Sequence, residues 1–514
     1  MFPDVATETS EDAEGGDAPD TYDAFESHVN QLVYLRDAGG VLGWDQQVTM
    51  PEGGTPARSK QSAALSSVTH DLLTDDDVGE WLDALDGADL DSGQQAVVRE
   101  VGREHERAVN VPEELVSEIS ETASNALPVW EEAKAEDDFE SFAPTLETMV
   151  ELKREYAEAI DPDRDPYEVL FEEYEPYLGL DTAERILERL RDELVPLIAD
   201  IEDSDVDLAD PFDGEYDPDD QEAMVREALD VLGYDWDRGR LDTAPHPFST
   251  GTQFDARVTT RFDPADPLGA LGSTVHEFGH ATYTLGLPDE HYGTPLGQSR
   301  DLSVHESQSR FWENHVGRTR AFADFFTPTV NDHLDTDLSA RDLYEAANQI
   351  YPDNLIRVEA DELTYHMHII LRFEIERDLI SGDLDVEEVP GVWNDKMEEY
   401  LGVRPETDSE GCLQDIHWTH GSLGYFPTYS LGSVLAAQID AAMREDLASE
   451  GETVDELVRA GEFDPLHDWL TERVHRHGCR YETDDLVREA TGEPFTADYF
   501  VDYATAKFGD LYEL

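Results

Sequence analysis

From about residue 22 onward, apolar positions recur every three or four residues, in stretches separated by short Asp, Gly and Pro breaks. This is the pattern of amphipathic helices. The clearest stretch starts at Asp181, where Asp181 and Glu184 suit a helix start and Ile186, Leu187, Leu190, Leu194, Leu197 and Ile198 form one face. Pro196 is expected to end or bend it. Further helices are expected over roughly 22–36, 131–160, 343–379 and 434–447. Residues 203–220, rich in Asp and carrying Pro211, Gly214 and Pro218, read as an acidic surface loop. Residues 252–262, TQFDARVTTRF, alternate side chains and favour β-branched and aromatic residues, so they are expected to form a strand of a small sheet. No internal repeat and no shift in composition marks a domain boundary. The expected fold is mainly α, one large helical unit over 21–514 with a small β-sheet beside its strongest motif.

Charge changes the picture. Against 35 Lys and Arg stand 120 Asp and Glu, a net charge of −85. Such an excess excludes phosphate-tracking nucleic-acid grooves as the main function and argues against anionic membranes. It also repels itself in dilute buffer, a penalty that molar salt, with a Debye length of ~3 Å, largely removes. Lys is nearly absent (Lys60, Lys134, Lys153, Lys396 and Lys507), and the acids spread from Asp4 to Glu513. The reading is adaptation to a salt-rich cytoplasm, as in a halophilic archaeon. Two cysteines, Cys412 and Cys479, make no disulfide framework and fit a reducing, cytoplasmic interior. Residues 1–20, acidic and polar, lack the basic start and apolar core of a signal peptide and read as a solvated, disordered leader. Residues 416–439 carry no Asp, Glu, Lys or Arg. Pro427 and three glycines argue against a membrane span, leaving the polar but uncharged wall of a buried cleft.

His276-Glu277-Phe278-Gly279-His280 is an HExxH motif. On a helix the two imidazoles share a face and can reach one ion, with Glu277 placed to hold a water beside it. Ser273 or Thr274 is a plausible helix start. Chance alone supplies about 0.13 such matches in a chain of this composition, so the motif needs context. A catalytic metal site takes three protein ligands and an open position. Ser303 to Arg310, SVHESQSR, begins a second helix that offers Glu306; Ser303 and Glu306 also fit a capping box. His305 is the rival ligand, but it points about 100° from Glu306, so only one of the two can face the ion. Glu306 is the choice.

HEFGH followed by HESQSR resembles the carboxypeptidase Taq family of metallocarboxypeptidases. His246-Pro247-Phe248, Asp255-Ala256-Arg257-Val258-Thr259, Ile356 to Asp361 (IRVEAD), Gly411 to Trp418 (GCLQDIHW) and residues 43–54 also match that family, in its order. The resemblance implies a mostly helical fold with a deep active-site cleft, a homodimer, and release of single C-terminal amino acids from peptides with broad specificity. It implies metal ligands His276, His280 and Glu306, and Glu277 as general base and acid. Zinc suits these ligands best, and cobalt fits them too. For the oxyanion, residues 416–439 offer His417, His420, Tyr425 and Tyr429; the resemblance favours Tyr429 and His417.

A free terminal carboxylate calls for an Arg fork. Arg357 is the first candidate and Arg257 the second. Their bland readings are an i,i+4 pair with Asp361 for Arg357, and a same-face pair with Asp255 for Arg257. Gln414 is a candidate for binding peptide backbone, Asp415 for orienting an imidazole, and His246 for closing the cleft. The alternatives are an oligopeptidase or dipeptidyl carboxypeptidase of similar fold, and a metal-binding scaffold without turnover. No GxSxG, GxxxxGK, GxGxxG or CxxC supports another chemistry. Both the unfolding midpoint and peptide hydrolysis are expected to fall when salt is lowered from molar to dilute; a salt-independent midpoint with full activity would remove the salt-adaptation reading.

Overall fold

The computed structural model describes residues 18–514. Helices dominate it, and the single sheet among the described residues has three strands. The leader reading of residues 1–20 lies outside the described residues, except that Ala18–Asp20 already belong to the first helix, Ala18–Val48. The Asp181 stretch forms the helix Leu180–Glu202 with its apolar face buried. Pro196 does not end it, because Leu194, Leu197, Ile198 and Ile201 bury on both sides and packing offsets the lost backbone bond.

Two expected helices are divided. Residues 131–160 break at Asp137, which takes left-handed backbone (φ 56°) between Glu113–Glu136 and Phe139–Ile160. Residues 343–379 are irregular between Ala340–Ala346 and Thr364–Ser381. Pro352 disfavours helix at the residue before it, and only a short 3-10 turn, Arg357–Glu359, forms in between. The helices expected over 22–36 and 434–447 are longer, running Ala18–Val48 and Pro427–Glu450. Residues 252–262 are not one strand. The sheet comprises β1 (Gly239–Thr243), β2 (Ser249–Thr252) and β3 (Asp255–Thr260) in the order β1-β3-β2, with Gln253 and Phe254 turning between β2 and β3. β1 runs parallel to β3 and β2 antiparallel. The acidic stretch 203–220 is mostly irregular until Asp217 caps Pro218–Leu232 by accepting from Asp219 N at 3.0 Å.

One continuous apolar core extends from Ala126 to Tyr512. A smaller one gathers Phe25, Val29, Val78 and Val97 around Leu296. No described helix is long and apolar enough to cross a membrane.

Three helices position the HExxH motif. Its own helix, Pro267–Gly286, starts earlier than Ser273: Asp266 accepts from Gly269 N at 2.8 Å and Pro267 supplies the preset first turn. It packs against β3, where Thr260 Oγ1 meets Ser273 Oγ at 3.1 Å. The second helix, Leu302–Arg310, widens into a π-helical stretch, Phe311–Gly317. It is gripped between the HExxH helix and Pro427–Glu450. Both contacts are made at glycine. A Cβ on Gly279 would stand 2.5 Å from Ser309 Cα and 2.6 Å from Gln308 O, and one on Gly432 would stand 2.5 Å from Glu306 Cβ. Much of the charge-free run 416–439 is therefore buried packing surface, where an unpaired charge would be costly.

Because the atoms facing Gly279 belong to backbone, they cannot swing aside. Gly279→Ala is expected to lower stability by about 1–3 kcal/mol through overpacking, read as a lower denaturant midpoint in molar salt; an unchanged midpoint would show that the helices are free to separate.

Candidate active site

A cleft of about 580 Å³ opens between these helices and the irregular stretch around Arg357. His276 lines it, His280 follows one turn later on the same helix, and Glu306 faces both from the next helix. Glu306 Oε2 lies 3.7 Å from His276 Nε2 and 3.4 Å from His280 Nε2. One donor atom from each residue falls within 4.8 Å of the others. Two imidazoles and a carboxylate brought this close can hold a divalent cation. The other ring nitrogens are engaged: His276 Nδ1 is 2.8 Å from Glu313 Oε2, and His280 Nδ1 is 3.2 Å from His305 O. Such partners fix ring orientation and leave each Nε2, beside Glu306, as the nitrogen that would hold an ion.

The expected capping box at Ser303 does not form. Asp301 precedes the helix, and Ser303 instead donates to Glu175 from both N and Oγ at 2.6 Å. Glu306 Oε1 accepts from Arg310 Nε at 2.7 Å. Burial alone would raise this carboxyl, but Arg310, His276 and His280 hold it well below the usual range. Glu313, on the same face two turns on, is likewise held low against its burial, by Arg318 and Arg310. His305 packs on His280 with ring centroids 4.6 Å apart; burial and then His280 push it down to about 3, so it stays neutral. Glu277 lines the cleft at 6% exposure, and burial raises its carboxyl while His276 and His280 partly oppose the rise.

Arg357 lines the same cleft and is 6% exposed. Its partner is Asp415, not Asp361: Nη2 donates to Asp415 Oδ1 at 2.7 Å. Asp361 instead accepts from Leu363 N and Thr364 N, both at 2.9 Å, where the helix Thr364–Ser381 begins. Asp415 serves guanidiniums first, with His417 Nδ1 3.5 Å away. From the charge-free run, Tyr429 and Ser433 line the cleft. Tyr425 packs behind Tyr429 at 5.3 Å and stacks on His417 at 5.6 Å, while His420 is exposed.

Three expected substrate contacts lie elsewhere. Arg257 forms a pair with Asp255 and sits over the Trp44 ring at 4.5 Å, lining a separate pocket. Gln414 turns inward, accepting from Arg357 N and donating to Leu355 O and Glu410 O. His246 is exposed; its neighbour Pro247 lines the cleft. Nor is the cleft uncharged, since Glu277, Arg310, Glu313, Arg318, Arg357 and Glu362 all line it. Sequence reading missed Arg310, Glu313 and Tyr365. Arg310 and Glu313 stand four and seven residues after Glu306, a helical spacing visible in the sequence. Both cysteines are buried and free.

Residues 24–508 match the family described as carboxypeptidase Taq (M32) metallopeptidase. Thermostable carboxypeptidase 1 of Pyrococcus furiosus is 39% identical over 478 residues, 92% of this chain and 95% of its own length. Carboxypeptidase 1 of Bacillus subtilis is 36% identical over 95% of this chain and 97% of its own. The crystal structure of the M32 carboxypeptidase from Deinococcus radiodurans R1 superposes with a TM-score of 0.92 at 34% identity, covering 96% of this chain and all of that one, 100%. With a two-His, one-Glu cluster set in a helical cleft, and likeness along nearly its whole described length, the chain belongs to the carboxypeptidase Taq family and is a metallocarboxypeptidase, a hydrolase that works with a divalent metal.

Proposed function

We propose that this enzyme releases single amino acids, with broad side-chain tolerance, from the C-termini of peptides, using His276, His280 and Glu306 as metal ligands. The observation that carries the reading is the convergence of these three donors, two of which, His276 and Glu306, line one cleft with Glu277. When bound, a divalent cation supplies Lewis acidity, polarising a scissile carbonyl and acidifying water.

Glu277 does the proton work. Its burial raises the carboxyl, which suits a group that takes a proton from the attacking water and returns it to the leaving amine. Tyr429, which lines the same cleft, donates from its hydroxyl to the developing oxyanion, with Tyr425 edge-on against it and His417 stacked on Tyr425 as support. Arg357 receives the terminal carboxylate. Zinc as the ion, a homodimer, and work in a salt-rich cytoplasm complete the proposal; the acidic, Lys-poor composition supports the last.

Glu277→Gln is expected to retain bound metal while kcat falls roughly 10²- to 10⁴-fold. On a peptide and its C-terminally amidated twin in molar salt, mass analysis of the wild-type enzyme should show a ladder of single-residue losses from the free peptide alone. Dipeptide products would favour the dipeptidyl reading, and internal cuts in both peptides would sink the exopeptidase. Removing the partner of His276 is a separate test. Glu313→Gln should weaken metal affinity about 10- to 100-fold, measured by competition with a chelator, because the imidazole loses its charged acceptor; unaltered affinity would leave Glu313 with a folding role only.

A further inference from the structure

Behind Arg357 lies a second guanidinium that no part of the mechanism above uses. Arg372, on the helix Thr364–Ser381, has no exposed surface (0%). Its Nε donates to Asp415 Oδ2 at 2.6 Å and its Nη1 to His368 O at 2.7 Å, and the group stacks over Trp393 at 4.4 Å and Phe426 at 5.5 Å. Arg357 meets the same carboxylate from the cleft side, through Nε at 3.1 and 3.2 Å and Nη2 at 2.7 Å. One carboxylate thus lies between two guanidiniums, only one of which lines the cleft. Glu376, one turn along from Arg372, is occupied with Trp418 Nε1, Gly424 N and Tyr167 Oη and bonds neither guanidinium.

The geometry leaves Arg357 free to bind. Its bonds to Asp415 and one from Nη1 to Tyr365 Oη at 3.1 Å leave one N–H on each terminal nitrogen without an acceptor among the described residues. One such N–H on each terminal nitrogen gives Arg357 donors with which to meet a carboxylate. The electrostatics are less obvious. Arg357 and Asp415 alone are a neutral pair, and an incoming carboxylate would meet a fixed acid just beyond the arginine. With Arg372 the group of three carries one net positive charge. Burial pulls the Arg372 guanidinium down to about 10, against the pull of Asp415, which leaves it protonated at neutral pH.

We propose that Arg372 is a positioning residue for recognition of the peptide C-terminus: it neutralises Asp415 from behind, so that Arg357 is held in place by an acid yet presents its full charge to the substrate. The inference rests on the reading that Arg357 receives the terminal carboxylate. A unit charge about 8 Å from the bound carboxylate, at an effective dielectric constant of about 20, corresponds to roughly thirtyfold in affinity.

The test compares Arg372→Gln, Arg372→Lys, Arg357→Gln and the double variant Arg372→Gln/Asp415→Asn. The readouts are KM and kcat on a short peptide, inhibition by N-acetylphenylalanine and by its amide, and the unfolding midpoint. Arg372→Gln should raise KM and the inhibition constant of the acid about tenfold or more, with kcat within about threefold and the amide unaffected. Arg372→Lys should restore most of the loss. The double variant, which returns the group to one net positive charge, should bind the acid better than Arg372→Gln alone. A folded Arg372→Gln enzyme that binds the acid normally, or loses acid and amide alike, overturns the proposal, as does a double variant no better than the single. Should Arg372→Gln fail to fold, Asp415→Asn is added: the double variant, one positive charge poorer, should bind the acid about tenfold or more weaker than Asp415→Asn, and equal affinity overturns the proposal. Arg357→Gln separates the two levels. Unchanged acid affinity there removes the carboxylate reading and the proposal with it, whereas weakened affinity there beside a normal Arg372→Gln enzyme overturns the role of Arg372 alone.

Discussion

The short helix Leu302–Arg310 is held at backbone distance between two longer ones, and the site follows from that grip. Gly279 admits Gln308 and Ser309 on one side, and Gly432 admits Glu306 on the other. Close-packed helices have little freedom to shift, so Glu306 Oε2 is fixed opposite His276 and His280 before any ion arrives. The register of the HExxH helix is set at its own start by Asp266 and by the contact of Thr260 with Ser273. Local capping, a strand contact and two glycines therefore cooperate to place three donor atoms.

Around this framework the buried charges alternate. Glu306, Arg310, Glu313 and Arg318 form one chain of opposite signs, and Arg357, Asp415 and Arg372 form another. Removing Asp415 alone would leave the buried Arg372 charged with no carboxylate partner in this group, a larger penalty than the pair itself contributes. The arrangement also explains a bias in composition. In a chain so poor in cations, arginines are placed where planar, multidentate bonding to carboxylates is needed.

How much of this the sequence discloses depends on the range of the interaction. The spacing of His276 and His280 is a property of one helix, and it reads directly from the chain. Glu306 is legible because a second helix begins beside it after a loop-length gap, and its neighbour His305 cannot face the same ion. Glu313 went unread although it lies seven residues beyond, since with 120 acidic residues one more on a helix face carries little information. Arg257, second candidate for the substrate carboxylate, makes the same-face pair with Asp255 that was its other reading and sits by Trp44 outside the cleft, while backbone groups hold Gln414 inward. The helix expected over 131–160 broke at Asp137 because a left-handed residue leaves no mark in apolar periodicity. The pairing of Asp415 with Arg372 spans 43 positions and exists only in the folded chain.

The charge-free run 416–439 suggested a neutral cleft inside an acidic shell. The structure divides those properties differently. The run is largely a packing face, and the cleft itself is ionic, with its cations backed by acids and Arg357 among them buried from solvent. This distribution bears on the salt-adapted reading. Molar salt screens exposed charges over ~3 Å and would abolish long-range steering of a peptide terminus toward a surface arginine. Buried groups are screened far less. On the proposed reading, in which an enzyme of net charge −85 recognises one negative charge in concentrated salt, its recognition cation belongs at depth, in fixed geometry, with any balancing acid itself neutralised from behind. The order Arg357, Asp415, Arg372, running inward from the cleft, satisfies that requirement.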